Sequence, residues 1–272
     1  MKIGIQGKFT ISLGDGKKIN WNTNPTSYLS RLLFWDGVTG FEYECVRIFI
    51  ELSKESKVFF DIGANMGYYS MVATAYNPSI KVFGFEPLPS ARKYFQLIAD
   101  ENNFKNISVN ELALSDKKGN ATFYAIKNPK FKEIEDQLAG DGGLNAKHSG
   151  ERSVYHFDVK IDTLDNFVSE KLNEVEKIDL IKLDTEASEH LVLAGAKNVL
   201  RNHRPIIQCE ILKGNIENEL QKIFLENNYQ FYKIKPKGVV LKESLSNDED
   251  EKADYFVVPI EKRKLIERFV VE

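Results

Sequence analysis

The stretch FFDIGANMGYYS, residues 59–70, decides how the rest of the chain is read. An apolar run ends on Asp61, two glycines bracket Ala64, Asn65 and Met66, and a helix-forming segment follows. That pattern is a strand, a turn and a helix start. Gly63 can take backbone angles closed to other residues, and Gly67 leaves no side chain in a ligand's way. Asn65 is one of the few non-glycine residues that tolerates left-handed angles. Free N–H groups at the following helix start suit a carboxylate or phosphate. Asp61, at the strand end, suits an ammonium group. A tight turn in an ordinary core has the same local pattern, so the neighbouring sequence has to decide.

From residue 58 onward strands and helices alternate. KVFGFE is a strand, and SARKYFQLIADENN a helix with Ser90 as its expected cap. NISVNELAL reads as a third strand and DLIKLD (179–184) as a fourth, followed by a helix to about Asn202. PIIQCEI (205–211) is a fifth strand, and GNIENELQKIFLENN another helix. NYQFYKI and DYFVVPI, separated by a polar connection, are expected to pair as an antiparallel hairpin on the edge. Apolar strands alternating with helices mean an α/β protein with a mostly parallel sheet covered on both faces.

Residues 1–57 read as an extension: a β-hairpin turning at GDGKK (14–18), a short amphipathic piece, and a helix over FEYECVRIFIELSKES. Residues 58–272 form the main domain. At about 115–162 it carries an added β-pair, NATFYAI and SVYHFDVKI, around a polar segment that could act as a lid. Residues 242–254 read as an acidic surface loop.

Composition narrows the class. At 272 residues, 42% hydrophobic and 28% charged, the chain suits one large globular domain. A net charge of −3 and a pI near 5.9 argue against an electrostatic nucleic-acid binder. Cys45 and Cys209 are too few for a disulfide framework or a cysteine metal site, which points to reduced thiols and a cytoplasmic protein. No apolar run is long enough to span a membrane.

Downstream spacing then favours a nucleotide. Glu86 ends the second strand 23 residues after Gly63, where an acid binds the two hydroxyls of a ribose. A dinucleotide would prefer glycines at 63, 65 and 68, but the chain has Gly63, Asn65 and Tyr68. Both replacements disfavour the close approach of a pyrophosphate. An aminoacyl tail fits better, because Asp61 and the helix start offer complementary charges. That tail belongs to S-adenosylmethionine.

DIGANMGYYS (61–70), FEP (85–87), ELALSDKKGNATFY (111–124), VKIDTLDNF (159–167), IDLIKLDTEASEHLVLAGA (178–196) and RPIIQCEI (204–211) resemble the FkbM family of methyltransferases. The resemblance spans about residues 40–212 in the family's order. It implies the seven-stranded class I, Rossmann-like fold, with S-adenosylmethionine as donor and a hydroxyl oxygen of a sugar, glycolipid or secondary metabolite as acceptor. S-adenosylhomocysteine would be the product. By resemblance, Asp61, Gly63, Ala64, Asn65, Gly67 and Tyr68 line the methionine end, Glu86 and Pro87 hold the ribose, and Leu112, Ala113 and Ser115 edge the adenine. One departure stands out. Where the family has D-x-E-G-x-E, this chain has Asp184-Thr185-Glu186-Ala187-Ser188-Glu189. The favoured expectation puts Ala187 in a first helical turn, where alanine is harmless; at positive φ, or against substrate, it would alter the site.

Methyl transfer is an in-line displacement, so alignment, at roughly 7–11 kcal/mol, should outweigh a general base at about 10²–10⁴-fold. Candidates for the base are Glu186, Glu210 and Asp184, the last of which also suits the donor's ammonium. A metal is not demanded by their spacing. Of the histidines, His148 in the polar segment is the one that could reach the crevice. His190 reads as a boundary residue, His156 as part of a β-run, and His203 as a favourable dipole contact at a helix end. Two rivals stay open: a dinucleotide oxidoreductase or epimerase, and a non-catalytic partner subunit of the same fold.

Overall fold

The computed structural model describes residues 3–138, 142–144, 154–172, 176–212, 214, 216–245 and 252–271. Its centre is the strand read first. β3 (Val58–Ile62) has all five residues buried and lies between two parallel neighbours, β4 (Lys81–Phe85) and β9 (Leu180–Leu183). Outside β4 runs β5 (Ile107–Asn110), and outside β9 runs β10 (Ile206–Leu212), both parallel. Burial on both sides explains why these segments are runs of Val, Ile, Leu and Phe rather than alternating patterns.

Alternate side chains feed two cores. Phe59, Val82 and Leu180 face α2 (Tyr43–Lys54), α3 (Tyr68–Tyr76) and α4 (Pro89–Glu101). Phe60, Phe83 and Ile181 face α5 (Leu164–Lys171), α6 (Glu189–Ala194) and α7 (Glu217–Glu226). The N-terminal hairpin, β1 (Gly7–Gly14) and β2 (Lys17–Thr23), joins the first core through Ile11 and Trp21. Trp21 Nε1 donates to Ser30 Oγ at 2.9 Å, tying the hairpin to α1 (Tyr28–Asp36). Ser27 caps α1 and also donates to Met66 Sδ at 3.4 Å, so the extension is anchored on the glycine turn itself.

Several details depart from the sequence reading. Among the described residues the main sheet has eight strands, where seven were expected. Beyond β10 the order continues β13 (Lys252–Pro259), β11 (Tyr229–Lys235) and β12 (Gly238–Lys242), all antiparallel. DYFVVPI therefore lies inside the sheet, and the edge belongs to β12, hidden in what looked like a polar connection. NISVNELAL splits after Asn110, and Ala113–Leu114 leaves as β6 for a second sheet. That sheet pairs β6 and β7 (Gly119–Ile126) with β8 (Val154–Asp162). α4 begins at Pro89 after Leu88, so Ser90 is not its cap; the Ser90 hydroxyl donates to the Gln137 carbonyl instead. α6 stops at Ala194 because a new helical turn starts at Val199, where Asp165 accepts the N–H groups of Asn198 and Val199. His203 is no charged dipole contact. Its Nδ1 accepts from Ile178 N at 3.2 Å, and burial lowers its pKa, which keeps it neutral. His148 lies outside the described residues. Cys45 and Cys209 are free and buried, and among the described residues no helix is long and apolar enough to cross a membrane.

Candidate active site

The parallel strands β3, β4 and β9 end together, and the turns that leave them are locked by backbone contacts. Gly63 has φ 76°, and a Cβ there would sit 1.7 Å from the Asp184 carbonyl oxygen. Gly63 N and Ala64 N both donate to Phe85 O, at 3.1 and 3.0 Å. Asn65, at φ 50°, donates its N–H to Glu86 Oε2 at 2.7 Å, and Leu88 N donates to Glu86 Oε1 at 2.8 Å. Gly67 is a glycine for a reason other than ligand access. At φ 75° its Cβ would meet the Phe95 ring at 2.3 Å.

These turns open onto a cavity of about 990 Å³. Its first wall carries Asp61, Gly63, Ala64, Asn65, Tyr68 and Glu86, continued by Pro87, Leu112 and Ala113. Gly67 and Ser115 do not line it; Ser115 N donates to Asp162 O at 2.9 Å, on the second sheet. Asp61 Oδ2 accepts from Ser70 N and Ser70 Oγ, at 3.1 and 2.6 Å. Its Oδ1, Asn65 Oδ1 and Tyr68 Oη are buried without a hydrogen-bond partner among the described residues. Buried polar atoms normally have partners. Three such atoms on one wall fit a polar ligand, and an ammonium group suits the Asp61 oxygen. Burial raises the Asp61 pKa, partly opposed by Lys182, and pushes Glu86 up to about 7.

The same cavity is also lined, beside that wall, by Asp184, Glu186 and Glu210. Here Ala187 overturns the expectation of a helical turn: Glu186 has φ 54° and Ala187 φ 66°, and α6 begins only at Glu189. Glu189, rather than Glu186, is the helix-start acid. Its Oε1 accepts from Thr185 N and Oγ1, at 2.7 and 3.0 Å, clamping the turn.

Four residues escaped the sequence reading. Glu42, at the start of α2 with φ 45°, joins Asp184 and Glu210, each offering an oxygen within 4.8 Å of the others. Tyr69 Oη donates to Glu42 Oε2 at 2.6 Å and accepts from Gln208 Nε2 at 2.8 Å. Lys182 Nζ lies 2.7 Å from Asp184 Oδ2 and 4.8 Å from the centre of the Tyr69 ring. Burial opposes the Lys182 charge, but Asp184, Glu42 and Asp61 outweigh it and raise its pKa. Asp254 faces Glu210 across the β10–β13 ladder; burial, then Glu42 and Glu210, push it up to about 7. Oxygens grouped this closely suit a hard divalent cation in principle, but the Lys182 ammonium already serves Asp184. Lys182, a lone charge in the apolar run LIKL, was the one signal available; Glu42 and Asp254 gave none.

Residues 61–243 match the family model of the methyltransferase FkbM domain. The chain is 30% identical to the 2-O-methyltransferase NoeI of Sinorhizobium fredii, over 56% of this chain and 63% of that protein. It is 26% identical to the 31-O-demethyl-FK506 methyltransferase FkbM of Streptomyces tacrolimicus, over 70% of this chain and 76% of that one. With the hexuronic acid methyltransferase AglP of Haloferax volcanii it shares 25% identity over 68% of each chain. The match to NoeI thus covers slightly under two thirds of that relative's length. The chain belongs to the FkbM methyltransferase family, whose methyl donor is S-adenosylmethionine.

Proposed function

We propose that the protein transfers a methyl group from S-adenosylmethionine to a hydroxyl of a sugar, glycolipid or other small metabolite, releasing S-adenosylhomocysteine. The observation that carries this reading is that one cavity is lined both by Asp61 to Glu86, which we take as the donor wall, and by the carboxylates Asp184, Glu186 and Glu210, the carboxylate wall. The relatives' names support a hydroxyl acceptor, since two specify O-methylation or an O-demethyl substrate and one a hexuronic acid. Residues 1–57 would be the extension that closes the cavity beside the methionine end, and 58–272 the methyltransferase domain. The two reduced thiols suit a cytoplasmic protein.

The donor, when bound, supplies a methyl carbon made electrophilic by its sulfonium. Asp61 would hold the ammonium, and Glu86 the ribose hydroxyls. The acceptor oxygen bonds to that carbon as the carbon–sulfur electron pair returns to sulfur, and a carboxylate takes the hydroxyl proton. Asp184 is the poorer base because Lys182 already neutralises it. Glu186 and Glu210 remain as bases, with Glu42 beside Glu210. Walls that exclude water and align the two reactants supply the larger part of the rate.

A thermal-shift comparison with S-adenosylmethionine, S-adenosylhomocysteine and NAD tests the donor. A ligand at 100 times its dissociation constant stabilises by about 2.7 kcal/mol, roughly 5 °C or more for a chain of this size. Shifts with the two sulfur nucleotides and none with NAD support the reading; a shift with NAD alone overturns it. Transfer of labelled methyl into carbohydrate or lipid extracts then separates an enzyme from a partner subunit.

A further inference from the structure

The cavity is electrically two-sided. Its floor, from the strand ends, is acidic, whereas its roof is basic: Arg31 from α1, and Lys127 and Lys130 from the segment that follows β7. Among the described residues none of the three has an ion-pair partner. Arg31 lies over the Tyr28 ring, 5.0 Å from its centre, and Lys127 over Tyr155 at 5.3 Å. The same segment also carries Glu133, Glu135 and Asp136, but these do not line the cavity, and Asp136 pairs with Lys93 outside it. Of this segment's charged residues, Lys127 and Lys130 line the cavity, and Lys132 and the three acids do not.

The roof is built, not loose. Gln137, 1% exposed, accepts Asn128 N at 2.8 Å and donates to the carbonyls of Phe131 and Ile134, so one buried amide fixes the turn that bears Lys127 and Lys130. Leu138 N donates to Thr26 Oγ1 at 2.8 Å, and Asn24 Nδ2 to the Asp136 carbonyl at 2.7 Å, which ties this turn to the start of α1, where Arg31 resides. Tyr28 and Phe131 add aromatic faces to the same roof. A turn fixed before binding leaves only its exposed lysine side chains to be ordered by a ligand, and cations lining a cavity select for negative charge.

We propose that the acceptor is anionic, a sugar-like molecule whose carboxylate or phosphate is bound by Arg31, Lys127 and Lys130 while its hydroxyl faces the carboxylate wall. This rests on the methyltransferase reading above and adds the class of acceptor to it. Like charge on the floor gives the anion a single orientation: its charged end is held to the roof, and the hydroxyl is left beside Glu210 and Glu186.

Binding is measured calorimetrically with the full chain saturated with S-adenosylhomocysteine. The probes are p-nitrophenyl β-D-glucuronide against p-nitrophenyl β-D-glucopyranoside, and α-D-glucose 1-phosphate against methyl α-D-glucopyranoside. At least one anionic probe should bind about tenfold or more tighter than its neutral partner, the scale of one charge-assisted contact. The preference should shrink as salt is raised. The pair of substitutions Lys127→Glu and Lys130→Glu, and separately Arg31→Glu, should abolish it while S-adenosylhomocysteine affinity holds. Which pair shows the preference tells carboxylate from phosphate. Equal binding of neutral and anionic probes, or no sugar binding in a chain that binds S-adenosylhomocysteine, overturns the proposal and leaves the donor site standing. Charge reversals that weaken S-adenosylhomocysteine as much as the sugar overturn it too, by assigning these cations to the donor. Failure to bind S-adenosylhomocysteine at all removes the reading on which both rest.

Discussion

After β3 the chain turns into α3 through Gly63, Asn65 and Gly67, and after β9 it turns towards α6 through Glu186 and Ala187; all five residues are left-handed. The first turn uses the residue types that accept such angles at little cost. The second uses two that do not, at about 1–2 kcal/mol each. Glu42, on the same wall as Glu186, is left-handed as well. Strain of this kind persists only where the surroundings enforce it, and here the Glu189 clamp on Thr185 does so. The proposed donor wall is relaxed, and the proposed acceptor wall is held under tension.

The contrast can be broken most severely from the relaxed side. Gly63→Ala drives a methyl into the Asp184 backbone. It should cost about 3 kcal/mol or more, a fall in melting temperature of roughly 6 °C or more. An unchanged melt would mean that the two turns do not touch as described. On the strained side, Glu210→Gln should lower methyl transfer by about 10²–10⁴-fold and leave S-adenosylhomocysteine binding intact in a thermal shift. Glu42→Gln should act in the same direction, and full activity in both variants would remove the carboxylate wall from the chemistry.

A smaller effect separates the walls by pH. Burial raises the Glu86 carboxyl to about 7 in the free protein, so below that pH it holds a proton. That proton has to leave before both oxygens accept ribose hydroxyls. S-adenosylhomocysteine affinity should therefore weaken about tenfold from pH 8 to pH 6. Glu189 and Asp254 titrate in the same window but lie off the donor wall. Calorimetry on Glu86→Gln isolates the effect: overall binding is weaker, and most of the pH dependence is gone. The smallest change expected is a gain. Ala187→Gly should raise stability by about 1 kcal/mol, or roughly 2–4 °C, by relieving φ 66°. A loss instead would show that the methyl's packing, at 3% exposure, outweighs the strain.

What the sequence disclosed follows the same division. The donor turn was legible because glycine and asparagine report backbone geometry locally, and the parallel strands because burial on both faces leaves unbroken apolar runs. The carboxylates at the strand ends, Asp184, Glu186 and Glu210, were placed from strand direction alone. Glu42 and Asp254 were not, since they reach the site through packing between segments far apart in the chain, which no local pattern encodes. Ala187 was misjudged for a related reason: helix propensity favours alanine, but the Thr185–Glu189 clamp delays the helix. β12 was missed because GVVLK offers only a short apolar run between lysines.

The position of β13 governs the order in which the molecule can be assembled. It is the last strand among the described residues, yet it stands between β10 and β11 and pairs with both. During synthesis from the N-terminus, β11 and β12 emerge as a hairpin that can rest on α7 through Tyr229 and Phe231 but has no strand to join, because their neighbour in the sheet does not yet exist. Only when residue 259 has cleared the ribosome can the gap be filled, and β13 brings Asp254 with it to its place beside Glu210. A nascent chain lacking that strand has both turns already written, but it presents two open sheet edges to its surroundings, the kind of exposure that invites chaperones or aggregation.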